Sequence, residues 1–145
     1  MLSFETAHNL ANAVLREGRR RNSSPLTVAV LDAGGHPVVL LREDGAGFIR
    51  PDIASGKAWG ALGLGFSSRG VASVAARVPA FFTALTVATE GRVFPAPGGV
   101  LLRTPADGVV GAVGVSGDSS DVDEACAIAA ALEVGLAPEP FEPSA

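Results

Sequence analysis

The stretch from Pro51 to Gly65, PDIASGKAWGALGLG, limits most strongly what this chain can build, because it holds the only lysine and the only tryptophan in 145 residues. At about 100° per residue it forms one helix with Ile53, Ala54, Lys57, Ala58, Ala61 and Leu64 on one side. Lys57 therefore lies within the apolar stripe. Gly56, Gly60 and Gly63 gather around Trp59 on the other side. Each glycine inside a helix costs roughly 1 kcal/mol relative to alanine, so three of them imply that another backbone packs close, from this subunit or a second one. Lys57 either lays its stem along apolar surface with the amine in water or is buried for a purpose, and Trp59 is either packing or a ligand platform.

The rest of the chain gives that helix a domain to belong to. With 48% hydrophobic residues it can bury a substantial core, and residues 1–137 are expected as a single domain followed by a loose tail, 138–145. A formal net charge of −4 argues against nucleic-acid binding, which needs a positive footprint. Arg16, Arg19, Arg20 and Arg21 close the first helix, where cations suit the negative end of its dipole. The single cysteine, Cys126, excludes an intrachain disulfide. The N-terminus has no leader pattern, and the apolar stretch around Val78 to Ala88 is too short to span a bilayer. A soluble, cytoplasmic protein without membrane partners is the expectation.

In chain order, Ser3 can cap a helix to about Arg20, Leu26 to Leu31 reads as a strand, and Asp32-Ala33-Gly34-Gly35 turns the chain into a second strand, His36 to Arg42. Pro51 suits the first turn of the central helix. Ser68 to Arg77 reads as a short helix, and Pro79 opens PAFFTALTVA, which suits helix or strand. GRVFPAPGG, Gly91 to Gly99, is a loop. Val100 to Arg103 and Val109 to Val115 read as strands. Asp121, with Glu124 three residues on, matches a capping box for a last helix whose inner face is Val122, Ala125, Cys126, Ala129 and Leu132. Strands joined by short turns, with helices between and around them, define an α+β domain.

Chemical motifs are few. GAVGVSG, Gly111 to Gly117, matches no phosphate-loop pattern, and the carboxylates of Asp118 and Asp121 follow it. The two histidines and one cysteine have no metal-ligand spacing. Taken together, VAVLDAGGHPVVLLREDGA, IASGKAWGA, PAPGG and DGVVGAVGVSGDSSDVDEACA resemble the GlcG/HbpS-like haem-binding proteins, also called haem-degrading, over nearly the whole chain. The resemblance implies a profilin-like sandwich on a five-stranded antiparallel sheet, with the uncounted strand placed within Gly91 to Phe94. It also implies homo-oligomers, for which the Gly56/Gly60/Gly63 face is the expected contact, and associations with haem, corrinoid-related proteins and small hydroxy acids. Two departures stand out: Leu101 replaces the proline of the usual GG-x-P, and Gly60 replaces a threonine.

Two functions follow. A haem or related small-molecule binder would use His8 or His36 as axial ligand, with Trp59 near the ligand. The alternative is a cofactor-independent enzyme acting on a carboxylate or hydroxy acid at a subunit interface. There Lys57 is base or Schiff-base nucleophile, Asp32 or Asp52 a proton shuttle, Arg50 a carboxylate clamp, and the amides of Gly98 and Gly99 an oxyanion site.

Overall fold

The computed structural model describes residues 1–139. It runs α1 (Phe4–Arg20), β1 (Thr27–Asp32), β2 (Pro37–Arg42), α2 (Arg50–Leu64), α3 (Ser68–Arg77), α4 (Pro79–Ala88), β3 (Gly99–Thr104), β4 (Gly108–Ser116), α5 (Ser120–Glu133) and β5 (Ala137–Glu139). The strands form one sheet in the order β2-β1-β4-β3-β5, every neighbouring pair antiparallel. This is the five-stranded α+β architecture expected. The fifth strand is not where the sequence suggested. Gly91 to Phe94 is irregular chain, and β5 pairs instead with β3 through Leu101–Glu139, Leu102–Pro138 and Arg103–Ala137. Pro138 and Glu139, assigned to the loose tail, thus belong to the sheet; the rest of that tail lies outside the described residues.

Helices cover both faces. On one side α1 and α5 close over Val28, Val30, Val100, Leu102, Val113 and Val115, the main apolar core. On the other, α2 lies across β1, β4 and β3 and buries a smaller cluster of Leu31, Ala58, Ala61, Leu101 and Ala112. Small residues set that second layer. A Cβ at Gly114 would collide with the Ala54 carbonyl, and one at Gly99 with the Lys57 carbonyl, so the helix rests directly on the strands. The glycines on the far side of α2 are explained within the same chain. Gly56 is covered by the Arg92 carbonyl and Phe94, Gly60 by Val93, and only Gly63 faces open space. The close backbone is therefore the chain's own 92–94 segment, which occupies most of the face expected to receive a second subunit.

The last helix also departs from expectation. Its cap is Ser119, whose hydroxyl accepts from the Val122 amide, and its buried residues include Asp123, Glu124, Cys126, Ala127, Ile128, Ala130 and Ala131. Leu132 is exposed. The buried face is rotated from the predicted stripe because two carboxylates find partners inside: Asp123 meets Lys57, and Glu124 meets Arg69 of α3. Glu124 is consequently no capping-box residue. Among the described residues no helix is long and apolar enough to cross a membrane.

Candidate functional site

Lys57 is sealed in the interior. Its Nζ donates to the Val115 carbonyl at 2.9 Å and to Asp123 Oδ2 at 3.1 Å, and both side chains of the pair are 2% exposed or less. Asp123 Oδ1 accepts the Asp118 amide at 2.9 Å. Burial pushes the Lys57 amine below the usual lysine range and the Asp123 carboxyl above the usual carboxylate range, in each case outweighing the attraction of the partner. The pair ties α2 to the β4–α5 connection. Lys57 lines none of the surface clefts described below.

The residues proposed to act with Lys57 are dispersed. Val28 pairs with Val115 and Asp32 with Gly111, so Asp32 lies about 13 Å from the Lys57 contact along the strand. Asp52 is exposed on another side of α2. Arg50 donates to the Ser116 hydroxyl at 3.1 Å. Gly98 and Gly99 are buried, Gly98 against Lys57 itself, and the Gly99 amide donates to Ser68 Oγ at 2.6 Å. That amide, proposed for an oxyanion, is already committed within the fold. Gly98 has φ 126°, a left-handed conformation that a side chain would strain.

The open chemistry lies instead around the β1–β2 turn and Trp59. Three shallow clefts adjoin there. The first, about 390 Å³, is lined by Leu2, Asp32, His36, Val109 and Val110 among others. It shares Ala33 and Gly34 with a smaller one walled by Trp59 and Leu62. Trp59 also walls the third, about 440 Å³, with Asp52, Ser55, Gly56, Gly91 and Arg92. The first and third fall in the range of small-ligand pockets, about 300–1,000 Å³. Gly35, at φ 82°, is both a turn requirement and a clearance, since a Cβ there would stand 3.2 Å from the indole. The Arg92 guanidinium carbon sits 3.9 Å from the indole centroid, a cation–π contact.

The turn orients its histidine. Asp32 Oδ1 accepts the amides of Gly34 at 2.9 Å and His36 at 3.0 Å, which hold its carboxyl below the usual range. Asp32 therefore stays ionised throughout the neutral range. The contribution of these bonds to the turn is complete above the unfolded carboxylate value and is lost as pH falls through the folded one. His36 Nδ1 lies 3.3 Å from the same Oδ1, so the carboxylate favours a proton on Nδ1 and leaves Nε2 as the lone-pair nitrogen. His8 is set up the other way. It stacks on Phe4, and the Asn12 amide nitrogen faces its Nδ1 at 3.4 Å, which makes Nδ1 the acceptor and Nε2 the protonated nitrogen. His8 lines none of these clefts.

Arg92, Asp123, Glu124 and Ser68 were missed as partners in the sequence. Asp123 and Glu124 in a first helical turn look like dipole residues, and only the fold shows them buried. Arg92 had a signal, as the cation of the loop that must approach the glycine face.

A helix-covered antiparallel sheet with shallow clefts at one turn defines the class as an α+β domain with room for a small molecule at its surface. The family model for the haem degrading protein HbpS-like family matches residues 2–132, and the chain belongs to that family. Among solved structures it is similar to the PduOC:haem complex (TM-score 0.83, 27% identity, 93% of this chain and 96% of that one). It is also similar to HbpS (TM-score 0.79, 30% identity, 92% and 90%) and to Klebsiella pneumoniae protein ORFY (TM-score 0.82, 27%, 91% and 89%). The corrinoid adenosyltransferase PduO of Salmonella typhimurium is 31% identical over 137 residues, and the match spans 40% of that protein's length.

Proposed function

We propose that this protein binds haem in the trench formed by the Asp32–His36 turn, Trp59 and Arg92. The supporting observation is the His36–Asp32 contact. A ligating histidine commonly gives its second ring nitrogen to a carboxylate, which fixes the tautomer and raises ligand basicity, and His36 has that arrangement on a cleft with apolar walls. Leu62 and the part of Trp59 that Arg92 leaves uncovered offer apolar surface to a macrocycle, and Arg92, held over the indole, offers a cation for a propionate. Haem bound there supplies an iron whose properties follow its axial ligand, hydrogen bonding and burial. The chain's own part is to orient the imidazole through Asp32, to cover one face of the ring and to hold a carboxylate. Membership of a haem degrading family and likeness to a haem complex support the same ligand.

A haem titration followed at the Soret band tests this. We expect a saturable shift in the wild type, loss of about 10–100-fold in affinity in Asp32→Asn, a larger loss with an altered spectrum in His36→Ala, and no change in His8→Ala. Wild-type spectrum and affinity in His36→Ala would overturn the assignment of the ligand. A wild-type protein that gives no saturable shift would overturn haem itself.

The lysine enzyme remains a second proposal, with Lys57 as base and Asp52 or Arg50 binding the substrate. It requires α2 to lift from the sheet and expose an amine that is now paired with Asp123. Turnover of a hydroxy acid that is abolished in Lys57→Met, in a variant shown to be folded, would favour it.

A further inference from the structure

Three polar side chains meet under the first turn of α2 with more hydrogens to give than oxygens to receive them. Thr27 and Ser116 are paired across β1 and β4. They alternate with Val28 and Val115 of the main core, so both stand on the α2 face, with Cβ atoms about 4.5–5.5 Å apart. Both are fully buried. Ser116 Oγ accepts from Arg50 Nη1 at 3.1 Å, which leaves the serine its own hydrogen to donate. Among the described residues, Thr27 Oγ1 is the one buried side-chain polar atom without a hydrogen-bond partner. Such an atom costs stability, and a valine of the same shape would avoid that cost. Arg50 is half-buried, and among the described residues Ser116 is its one side-chain acceptor. The acids of this region are engaged or turned to solvent. Glu43 takes the Leu26 amide and Arg19, Asp123 takes Lys57, and Asp118 takes the amides of Ser24 and Ser119. Asp44 and Asp52 are exposed.

We propose that Arg50, Ser116 and Thr27 bind one small oxyanion, a carboxylate or a phosphate, at the corner where the β2–α2 connection rises from the sheet to the helix layer. The donor set selects the charge. A guanidinium fork matches an oxyanion, and each hydroxyl adds one hydrogen for a remaining lone pair. A cation would meet three donors, and an apolar ligand would leave all three unpaired. The way in is the connection itself. Thr27 pairs on its other side with Arg42, the last residue of β2, so residues 43–49 run from beside Thr27 to Arg50. Past Glu43 the backbone hydrogen bonds of this strap are local, from Ala46 to Glu43 and from Arg50 to Gly47. Its large apolar side chains, Phe48 and Ile49, are exposed and do not anchor it. Displacing the strap uncovers the hydroxyls on the side where Arg50 already meets solvent. The haem trench is elsewhere: Trp59 lies nine residues along α2 from Arg50, about 13 Å away along the axis and on the opposite side of the helix. Lys57 lies two turns along on the same side as Arg50, so a carboxylate held here would be the acid group of the substrate in the lysine enzyme. That role rests on the lysine reading, whereas the binding does not.

Isothermal titration of the full chain with sodium acetate and, separately, with inorganic phosphate, at an ionic strength fixed with chloride, is the test. We expect saturable binding of at least one probe, weakened about tenfold or more in Arg50→Gln and about threefold to tenfold in Thr27→Val. Binding of acetate alone identifies a carboxylate, and of phosphate alone a phosphate. Urea unfolding of the ligand-free proteins gives the second readout. The Thr27→Val midpoint should equal or exceed that of the wild type, because the hydroxyl it removes has no partner until the anion arrives. No saturable heat with either probe, or wild-type affinity in either folded variant (an adventitious ion only), would overturn the site. So would a Thr27→Val midpoint well below the wild type, which would mean that the fold itself already satisfies the hydroxyl. Should Arg50→Gln fail to fold, Thr27→Val decides alone. Binding intact with no turnover of any hydroxy acid would sink the lysine enzyme and leave the anion site standing.

Discussion

Asp123→Ala lowers the unfolding free energy by about 3–5 kcal/mol, and Lys57→Met by a similar amount. Removing either partner leaves the other buried without its counter-charge, and the close rest of the α2 backbone on Gly99 and Gly114 opposes the tilt that would let water in. The double variant Lys57→Met with Asp123→Leu recovers most of the loss. It lies within about 2 kcal/mol of the wild type, since a buried pair replaced by apolar chains is often neutral or better, less the Asp118 amide that loses its acceptor. The pKa directions agree. Asp123, raised by burial, contributes stability present below the unfolded carboxylate value and lost as pH rises through the folded one. Lys57, lowered by burial, contributes stability present above the unfolded lysine value and lost as pH falls through the folded one. Between the two folded values the charged pair is thus at its least favourable. Urea unfolding of the four proteins decides the matter: single variants within about 1 kcal/mol of wild type, or a double variant as damaged as the sum, would show that the pair does not tie the helix down.

The same pair shows what the sequence could and could not reveal. Lys57 stood out because it is the sole lysine on an apolar stripe, and its burial was among the alternatives. Its partner did not stand out. Asp121, Asp123 and Glu124 share the first turn of a helix, where acids are ordinary, and periodicity cannot tell which of them turns inward. That choice belongs to the tertiary contacts with Lys57 and Arg69. Local signals did better where the chemistry is local: Ser3 caps α1, accepting the Thr6 amide at 3.1 Å, Pro51 and Pro79 open helices, and Asp32-Ala33-Gly34-Gly35 turns the hairpin. β5 was missed because three residues ending in Pro138-Glu139 carry no strand periodicity; β3 supplies the edge that makes them one. The trench was half legible. His36 and Trp59 were singled out separately, but that the turn leading into His36 reaches the indole depends on Gly35.

Gly114→Ala is expected to be as damaging as the loss of a charge, although it adds one methyl group. Gly114 lies in the middle of β4, paired with Ala29 on one side and Gly99 on the other, and its Cβ would enter the carbonyl of Ala54. A flexible side chain can move aside, but a helix backbone cannot without moving the helix. Lifting α2 would strip cover from Leu31, Ala58, Ala61, Leu101 and Ala112 and stretch the bonds from Lys57 to Val115 and Asp123. Overpacking a core typically costs about 1–3 kcal/mol, and a collision with backbone belongs at or above the top of that range. Gly63→Ala is the control, because nothing stands within 4 Å of its Cβ. It is expected to stabilise the helix by up to about 1 kcal/mol, while Gly114→Ala loses about 3 kcal/mol or more. The Trp59 cleft should report the same event, since Trp59 rides on α2: its fluorescence should shift in Gly114→Ala before the protein unfolds and stay unchanged in Gly63→Ala. Equal stabilities for the two variants would mean that α2 does not rest on the sheet at Gly114, and that the tie through Lys57 is not what sets the height of the helix.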